Sequence, residues 1–294
     1  MNRKFCIIIN PKAGKGKTLK KIPILKDYIA NINKADFDIF YSEYSGHAIQ
    51  LAKDNAEKYD VVIAMGGDGT VNEIARGLVD TNGVLGILPE GRGNDFARCI
   101  GFNENIKESI DKIIQFHTET IDVGKIDDIY FINGVGVGFD GYVNQRNQAR
   151  KIINGAFSYY LTLLECLFLW QPLNMNIKID GFEIPSRSVF LTAIGNGKYC
   201  GGGLNLNPDS EINDGELNLC VVDDISKFKV INNLQRLKNG TIDSLEEVKL
   251  YIGKQIQISC EKPMPIHYDG ELYITQSREV NITIKERAIK IIKS

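Results

Sequence analysis

The chain has 294 residues, 43% of them hydrophobic and 24% charged, the balance of a folded protein rather than a disordered or fibrous one. That length allows one large domain or two of ordinary size. A formal net charge of -2 and a pI near 6.0 supply no global field for polyphosphate, so nucleic acid is excluded as the principal partner and any anionic ligand needs local groups.

The first third alternates strands and helices. Phe5 to Ile9 is a continuous apolar run, as expected of a central parallel strand buried on both faces. A helix is predicted over Leu19 to Ile32, a strand over Phe37 to Tyr41 and a helix over His47 to Lys58. Val61 to Met65 is a second buried strand and runs into Gly66-Gly67-Asp68-Gly69. Thr70 then opens a helix with Glu73 three residues on, the spacing of a capping box. Val84 to Leu88 gives another strand and Ile106 to Phe116 another helix. This order predicts an open, mostly parallel α/β sheet, in which ligands bind beyond the carboxyl ends of the strands. The glycine-rich turns at Asn10 to Gly16, Gly66 to Thr70 and Pro89 to Asp95 all follow strands and should converge there.

After about Asp122 strand-like runs dominate: Tyr130 to Val137, Met175 to Ile179, Val189 to Ile194, Leu217 to Val222, Gln255 to Ser259 and Val280 to Ile284. Asp180-Gly181 signals a hairpin. Helices are predicted near Tyr159 to Trp170 and Lys227 to Leu237. The expectation is an α/β nucleotide-binding domain over residues 1–122, with 286–294 returning to it as a closing strand. Residues 123–285 would form a mainly β, sandwich-like domain.

Six scattered cysteines without a C-x-x-C pair, and three distant histidines, predict neither a disulfide framework nor a zinc site. The N-terminal apolar run is too short for a signal peptide and ends at Asn10-Pro11. The stretch Ala156 to Trp170, interrupted by Glu165, falls short of the roughly 20 residues a membrane span needs. A cytosolic protein able to touch a membrane surface is expected. In Ala156 to Trp170, Tyr160, Leu163, Leu164, Leu167 and Phe168 form a stripe that reads first as a buried helix face and second as a lipid-facing one.

Two phosphate-site patterns are weak. Gly16-Lys17-Thr18 resembles the tail of a Walker A loop but has Pro11 where that motif needs glycine. Gly136-x-Gly138-x-x-Gly141 formally matches the dinucleotide fingerprint but lies in the β-rich half, where it reads as a close approach of two backbones. The Gly66 to Thr70 turn is stronger. Glycines after a buried strand expose backbone N–H groups, and the following helix directs its positive dipole end at the same place. Asp68 fits beside phosphates if a divalent cation bridges them. The plain alternative is a tight strand–helix turn.

Asn10-Pro11-x-x-Gly14-x-Gly16, Gly66-Gly67-Asp68-Gly69-Thr70 and Leu88-Pro89-x-Gly91-x-Gly93-Asn94-Asp95-Phe96-Ala97 together resemble the diacylglycerol and sphingosine kinase catalytic family, most closely its small bacterial lipid kinases. Gly195-Asn196-Gly197, Gly201-Gly202-Gly203, Pro208-Asp209, Asp214-Gly215 and Asp269-Gly270-Glu271 continue the family order through nearly the whole chain. The resemblance implies an ATP-dependent lipid kinase with its active site in the cleft between the two domains. Asn10, Pro11, Lys12, Ala13 and Gly14 would cradle ATP with Gly66, Gly67, Asp68, Gly69, Thr70, Asn72 and Glu73. Ser42 would lie near the nucleotide, and Gly91, Arg92, Gly93, Asn94 and Asp95 would complete the pocket. Arg92 departs from the family, where threonine is frequent.

Within the resemblance, Asp269 is the expected general base, with Glu271 as a polar or metal-linked neighbour and Asp68 acting through nucleotide and metal. Asp269-Gly270 also reads as an ordinary hairpin turn, as Asp180-Gly181 does. Relatives bind a structural Mg²⁺ through an aspartate side chain and main-chain oxygens three before and two after it, which here gives Asp214 with Glu211 and Glu216. The partners implied are a lipid substrate and peripheral contact with the inner face of the membrane, and dimers among relatives imply a homodimer as one assembly. Lys12, Lys15, Lys17, Lys20 and Lys21 read as a solvated face or as contacts for ATP or anionic headgroups. The rival readings are a kinase of a soluble acceptor, as in NAD kinases, and a non-catalytic regulator on the same fold.

Overall fold

The computed structural model describes residues 2–33, 35–149 and 156–294. In the first lobe β1 (Arg3–Ile9), α1 (Lys17–Ala30), β2 (Ala35–Tyr41), α2 (His47–Asn55), β3 (Val61–Gly66), α3 (Asp68–Leu78), β4 (Val84–Pro89), α4 (Asp95–Cys99) and α5 (Ile106–Gln115) follow in order. The four strands lie parallel in the order β2-β1-β3-β4. Every residue of β3 and β4 is buried, which explains their unbroken apolar character.

The second lobe opens with β5 (Thr118–Ile126), β6 (Ile129–Phe131) and β7 (Gly134–Gly138), then α6 (Phe139–Ala149) and α7 (Ala156–Leu169). The hairpin of β8 (Leu173–Ile179) and β9 (Phe182–Gly195) turns at Asp180-Gly181, both with positive φ. The short pair β10 (Tyr199–Cys200) and β11 (Leu204–Asn205) precedes β12 (Leu217–Asp223), α8 (Lys227–Asn232) and α9 (Leu234–Asn239). The chain closes with β13 (Val248–Gly253), β14 (Gln255–Cys260), β15 (Ile266–Tyr268), β16 (Glu271–Tyr273) and β17 (Glu279–Ile292).

The run predicted over Val280 to Ile284 and the closing strand predicted over 286–294 are one strand, and it joins the lobes. The first half of β17 pairs antiparallel with β14, while Lys290 and Ile291 pair in parallel with Val84 and Leu85 of β4. Along its other edge it runs antiparallel to β5, with a register shift between Lys285 and Ile289. Arg287 takes a φ of 52° there, and its N–H donates to Asp122 at 2.6 Å. The main path of strands is therefore continuous between lobes, but the apolar core is in two parts. One part packs β1, β3 and β4 against α1 to α5, and the other fills the β-rich lobe.

Three local expectations need correction. The strand predicted over Tyr130 to Val137 is broken into β6 and β7. The helix predicted over Lys227 to Leu237 is two short ones. The third α3 residue, Thr70, does not cap that helix: α3 begins at Asp68, and Gly67 before it offers no side chain. Leu167 and Cys166 of α7 are buried while Leu164, Phe168 and Leu169 are exposed, so the apolar stripe is divided between core and surface. The Tyr160 side chain lies outside the described residues.

Candidate active site

The three glycine turns do converge at the carboxyl ends of β1, β3 and β4. The Asn10 amide donates to Thr70 Oγ1 at 3.0 Å, and its oxygen accepts the Lys12 N–H at 3.0 Å, tying the first turn to the start of α3. A Cβ on Gly91 would lie 2.6 Å from the Gly67 Cα, so only glycine permits these two backbones to meet. The Asn94 side chain accepts from the Gly91 N–H at 2.8 Å and folds the third turn back on itself, with Asn94 at a φ of 51°. The result is a shallow, glycine-walled cradle at the N-terminus of an eleven-residue helix, α3.

Several side chains assigned to this cradle have other tasks. The Asp68 carboxylate accepts the N–H groups of Asn94 and Asp95 at 2.9 and 2.8 Å, one on each oxygen, so it ties two turns together. The Asp95 carboxylate accepts from Gly202 and Gly203 across the interlobe gap, the shortest contact being 2.7 Å, so it is not a free nucleotide ligand. Burial raises its pKa, and those two N–H groups oppose the rise. Glu73 does not close a capping box. It receives the Gly46 N–H at 2.8 Å, which fastens α2 to α3. Lys21 pairs with the buried Glu90 carboxylate at 2.9 Å, which removes it from the lysine set, while Lys12, Lys15, Lys17 and Lys20 are exposed. Ser42 is buried beside the end of β1, its N–H bonded to the Ile9 carbonyl at 2.9 Å. Arg92 is exposed, with no hydrogen bond or ion pair among the described residues.

The Asp269-Gly270 turn of the second lobe reaches the same cleft. Asp269 is buried and accepts four hydrogen bonds, from the Asn72 amide at 2.6 Å and the N–H groups of Ile132, Asn133 and Gly134 at 2.8, 3.0 and 2.8 Å. These bonds break the expected Tyr130 to Val137 strand and draw it onto α3. Burial pushes the Asp269 pKa up, and the four donors oppose the push. A carboxylate has about four lone-pair sites. Each hydrogen bond to a charged group contributes about 1.5–3 kcal/mol. Taking up a substrate proton would require breaking one of them.

Glu271, two residues on, has the properties Asp269 lacks. It is exposed to the cleft, and its carboxylate makes no hydrogen bond or ion pair among the described residues. Its Oε1 lies against Gly69, where a Cβ would sit 2.8 Å away. The surrounding protein, and then the Glu73 carboxylate, raises its pKa above the ordinary glutamate value. An unpaired, readily protonated carboxylate thus faces the strongest candidate phosphate turn.

The diacylglycerol kinase catalytic domain matches residues 4–126, and the YegS C-terminal NAD kinase beta sandwich-like domain matches residues 133–293. A diacylglycerol kinase of Staphylococcus saprophyticus is 30% identical over 277 residues, covering 92% of this chain and 90% of that protein. The chain belongs to the diacylglycerol kinase family. A diacylglycerol kinase of Staphylococcus aureus is 29% identical over 92% of this chain and 87% of its own length. A solved diacylglycerol kinase from Bacillus anthracis superposes with a TM-score of 0.72 at 26% identity, covering 99% of this chain and 97% of its own. An NAD kinase from Archaeoglobus fulgidus, TM-score 0.53 at 13% identity, shares the fold over 99% of this chain and 93% of its own.

The segment expected to hold Mg²⁺, Glu211 to Glu216, lies on the second lobe. Glu211 and Asp214 are exposed and Glu216 is half-buried. One Asp214 oxygen accepts the Glu216 N–H at 3.0 Å, and both Asp122 oxygens are engaged, one by the Gly215 N–H at 2.7 Å. Partial burial, then the Glu216 and Asp122 charges, raises the Asp214 pKa, so this loop has carboxylate charge in excess. No three acidic, histidine or cysteine side chains converge on one point among the described residues. Asp214 with the main-chain oxygens of Glu211 and Glu216 fits a largely hydrated Mg²⁺, whose ligands are all oxygen.

Sequence reasoning missed the contacts that cross between lobes. Asn72, read as a nucleotide contact, holds Asp269, and Gly202 and Gly203 hold Asp95; within the second lobe, His267 Nε2 lies 3.2 Å from Asp140 Oδ2. Each pair is far apart in sequence, and only the family order of motifs pointed to their assembly. Among the described residues no helix is long and apolar enough to cross a membrane.

Proposed function

We propose that this chain transfers the γ-phosphate of ATP to a hydroxyl of a membrane lipid, with diacylglycerol as the acceptor and Glu271 as the proton acceptor. The observation that carries this reading is the unpaired Glu271 carboxylate packed against Gly69, at the mouth of the glycine cradle. The segments Asn10 to Gly14, Gly66 to Thr70 and Gly91 to Gly93, with Ser42 beside them, form the nucleotide site. Backbone N–H groups and the N-terminus of α3 hold the phosphates. Asn72, Glu73, Asn94, Asp95 and Asp68 keep that cradle and the second lobe in register.

The lipid hydroxyl attacks the γ-phosphorus in line. An O–P bond forms to the lipid, the bond to the β-phosphate oxygen breaks, and ADP leaves. Glu271 removes the hydroxyl proton, and Asp269 positions it by anchoring the turn. Mg²⁺ arriving with ATP would neutralise charge on the phosphates. A second Mg²⁺ at Glu211, Asp214 and Glu216 would offset the acidic loop. The acceptor places the working enzyme at the inner face of the membrane as a peripheral protein.

Glu271→Gln tests the reading. Turnover with diacylglycerol in mixed micelles should fall about 10²- to 10⁴-fold, the worth of a positioned base. ATP affinity and melting temperature should stay at wild-type values. Near-wild-type turnover in this variant would refute the assignment.

A further inference from the structure

The Gly136-x-Gly138-x-x-Gly141 pattern takes no part in the nucleotide cradle, yet each glycine stands where a side chain could not. A Cβ on Gly136 would lie 1.8 Å from Asp140 Oδ2 and 2.4 Å from His267 Nε2. One on Gly141 would lie 2.2 Å from the Pro265 carbonyl oxygen, and the Gly138 N–H donates to that same oxygen at 3.0 Å. The motif is the seat on which α6 packs against β15, the strand that leads into the Asp269-Gly270 turn. His267 and Asp140 join the two elements above Gly136.

One turn further along α6, the Asn144 side-chain amide donates to the Gly270 carbonyl at 2.7 Å. That carbonyl belongs to the peptide plane immediately before Glu271. Asp269 and Gly270, with φ values of 45° and 82°, are the two central residues of the turn that joins β15 to β16. Asp269 fixes one end of the turn through the N–H groups of Ile132 to Gly134, and Asn144 fixes the other. We infer that α6 is a brace for the proton acceptor, and that Asn144 is the positioning residue that aims Glu271 into the cleft. This rests on Glu271 being the proton acceptor, as proposed above.

The test is a double-mutant cycle between Asn144→Leu, which keeps the size and removes the donor, and Glu271→Gln. Misplacing a catalytic group by about 1 Å costs up to about a hundredfold. Asn144→Leu alone should therefore lower kcat with diacylglycerol by about ten- to a hundredfold, with KM for ATP unchanged. Asn144→Gln, which retains a donor, should recover part of the loss. In the Glu271→Gln background Asn144→Leu should cost nothing more, because the group it aims is already gone. Backbone hydrogen exchange over 266–273 should quicken in Asn144→Leu while that of 217–223 stays at its wild-type rate. Wild-type kcat in Asn144→Leu, or an equal loss in both backgrounds, would overturn the inference. If Glu271→Gln itself stays active the proton-acceptor reading fails, and unchanged exchange over 266–273 would sink the brace as well.

Discussion

At the scale of single residues, the decisive contrast lies between two carboxylates two positions apart. Asp269 has its lone pairs taken by four N–H donors, and Glu271 has none taken among the described residues. Replacing Asp269 with asparagine presents an NH₂ group to donors that need an oxygen. Each orphaned buried donor costs about 1–3 kcal/mol, so Asp269→Asn should lower the melting temperature as well as turnover. Glu271→Gln should lower turnover alone, and thermal melts of the two variants separate these roles. The pH profile follows from the same environment. Because the Glu271 pKa is raised, it takes up a proton at a pH where an ordinary glutamate is still ionised. A base works only when deprotonated, so kcat/KM should be full above that pKa and fall as the pH drops through it. An acid limb at or below the ordinary glutamate value would contradict this.

At the scale of elements, the parallel strands were legible because β3 and β4 are buried at every position and leave no alternation to misread. The glycine turns were legible from their place after those strands. Their contact is strict enough to test: Gly91→Ala puts a Cβ 2.6 Å from Gly67, and should weaken ATP binding in calorimetry while the lobe stays folded. Other elements were hidden because a distant residue decides them. Glu73 has capping-box spacing but is drawn away by the Gly46 N–H, and the Tyr130 to Val137 strand breaks because Asp269 claims three of its N–H groups. Asp180-Gly181 and Asp269-Gly270 are alike in sequence and in positive φ, and in both the aspartate accepts backbone N–H groups. Only position separates them. Asp180 closes an exposed hairpin against Lys254 and Gln255, whereas Asp269 is pressed against α3 in the cleft.

At the scale of the whole molecule, the lobes are joined by the continuous β17 and by polar contacts across the cleft. Asp95 on the first lobe accepts from the Gly202 and Gly203 N–H groups of the second, and the Asn72 amide of the first lobe donates to Asp269 of the second. Asp95→Ala would leave those glycine N–H groups, Gly202 exposed and Gly203 half-buried, without their charged acceptor. The expected outcome is a lower melting temperature and a raised KM for the lipid, measured together. An unchanged lipid KM would argue against this contact as a determinant of cleft geometry. The central claim concerns the acceptor, and one measurement addresses it directly: transfer of labelled γ-phosphate from ATP, with Mg²⁺, to diacylglycerol in mixed micelles, with NAD offered in parallel. The account predicts labelled lipid and unlabelled NAD. Label on NAD, or ATP bound with no label on any lipid, would contradict it.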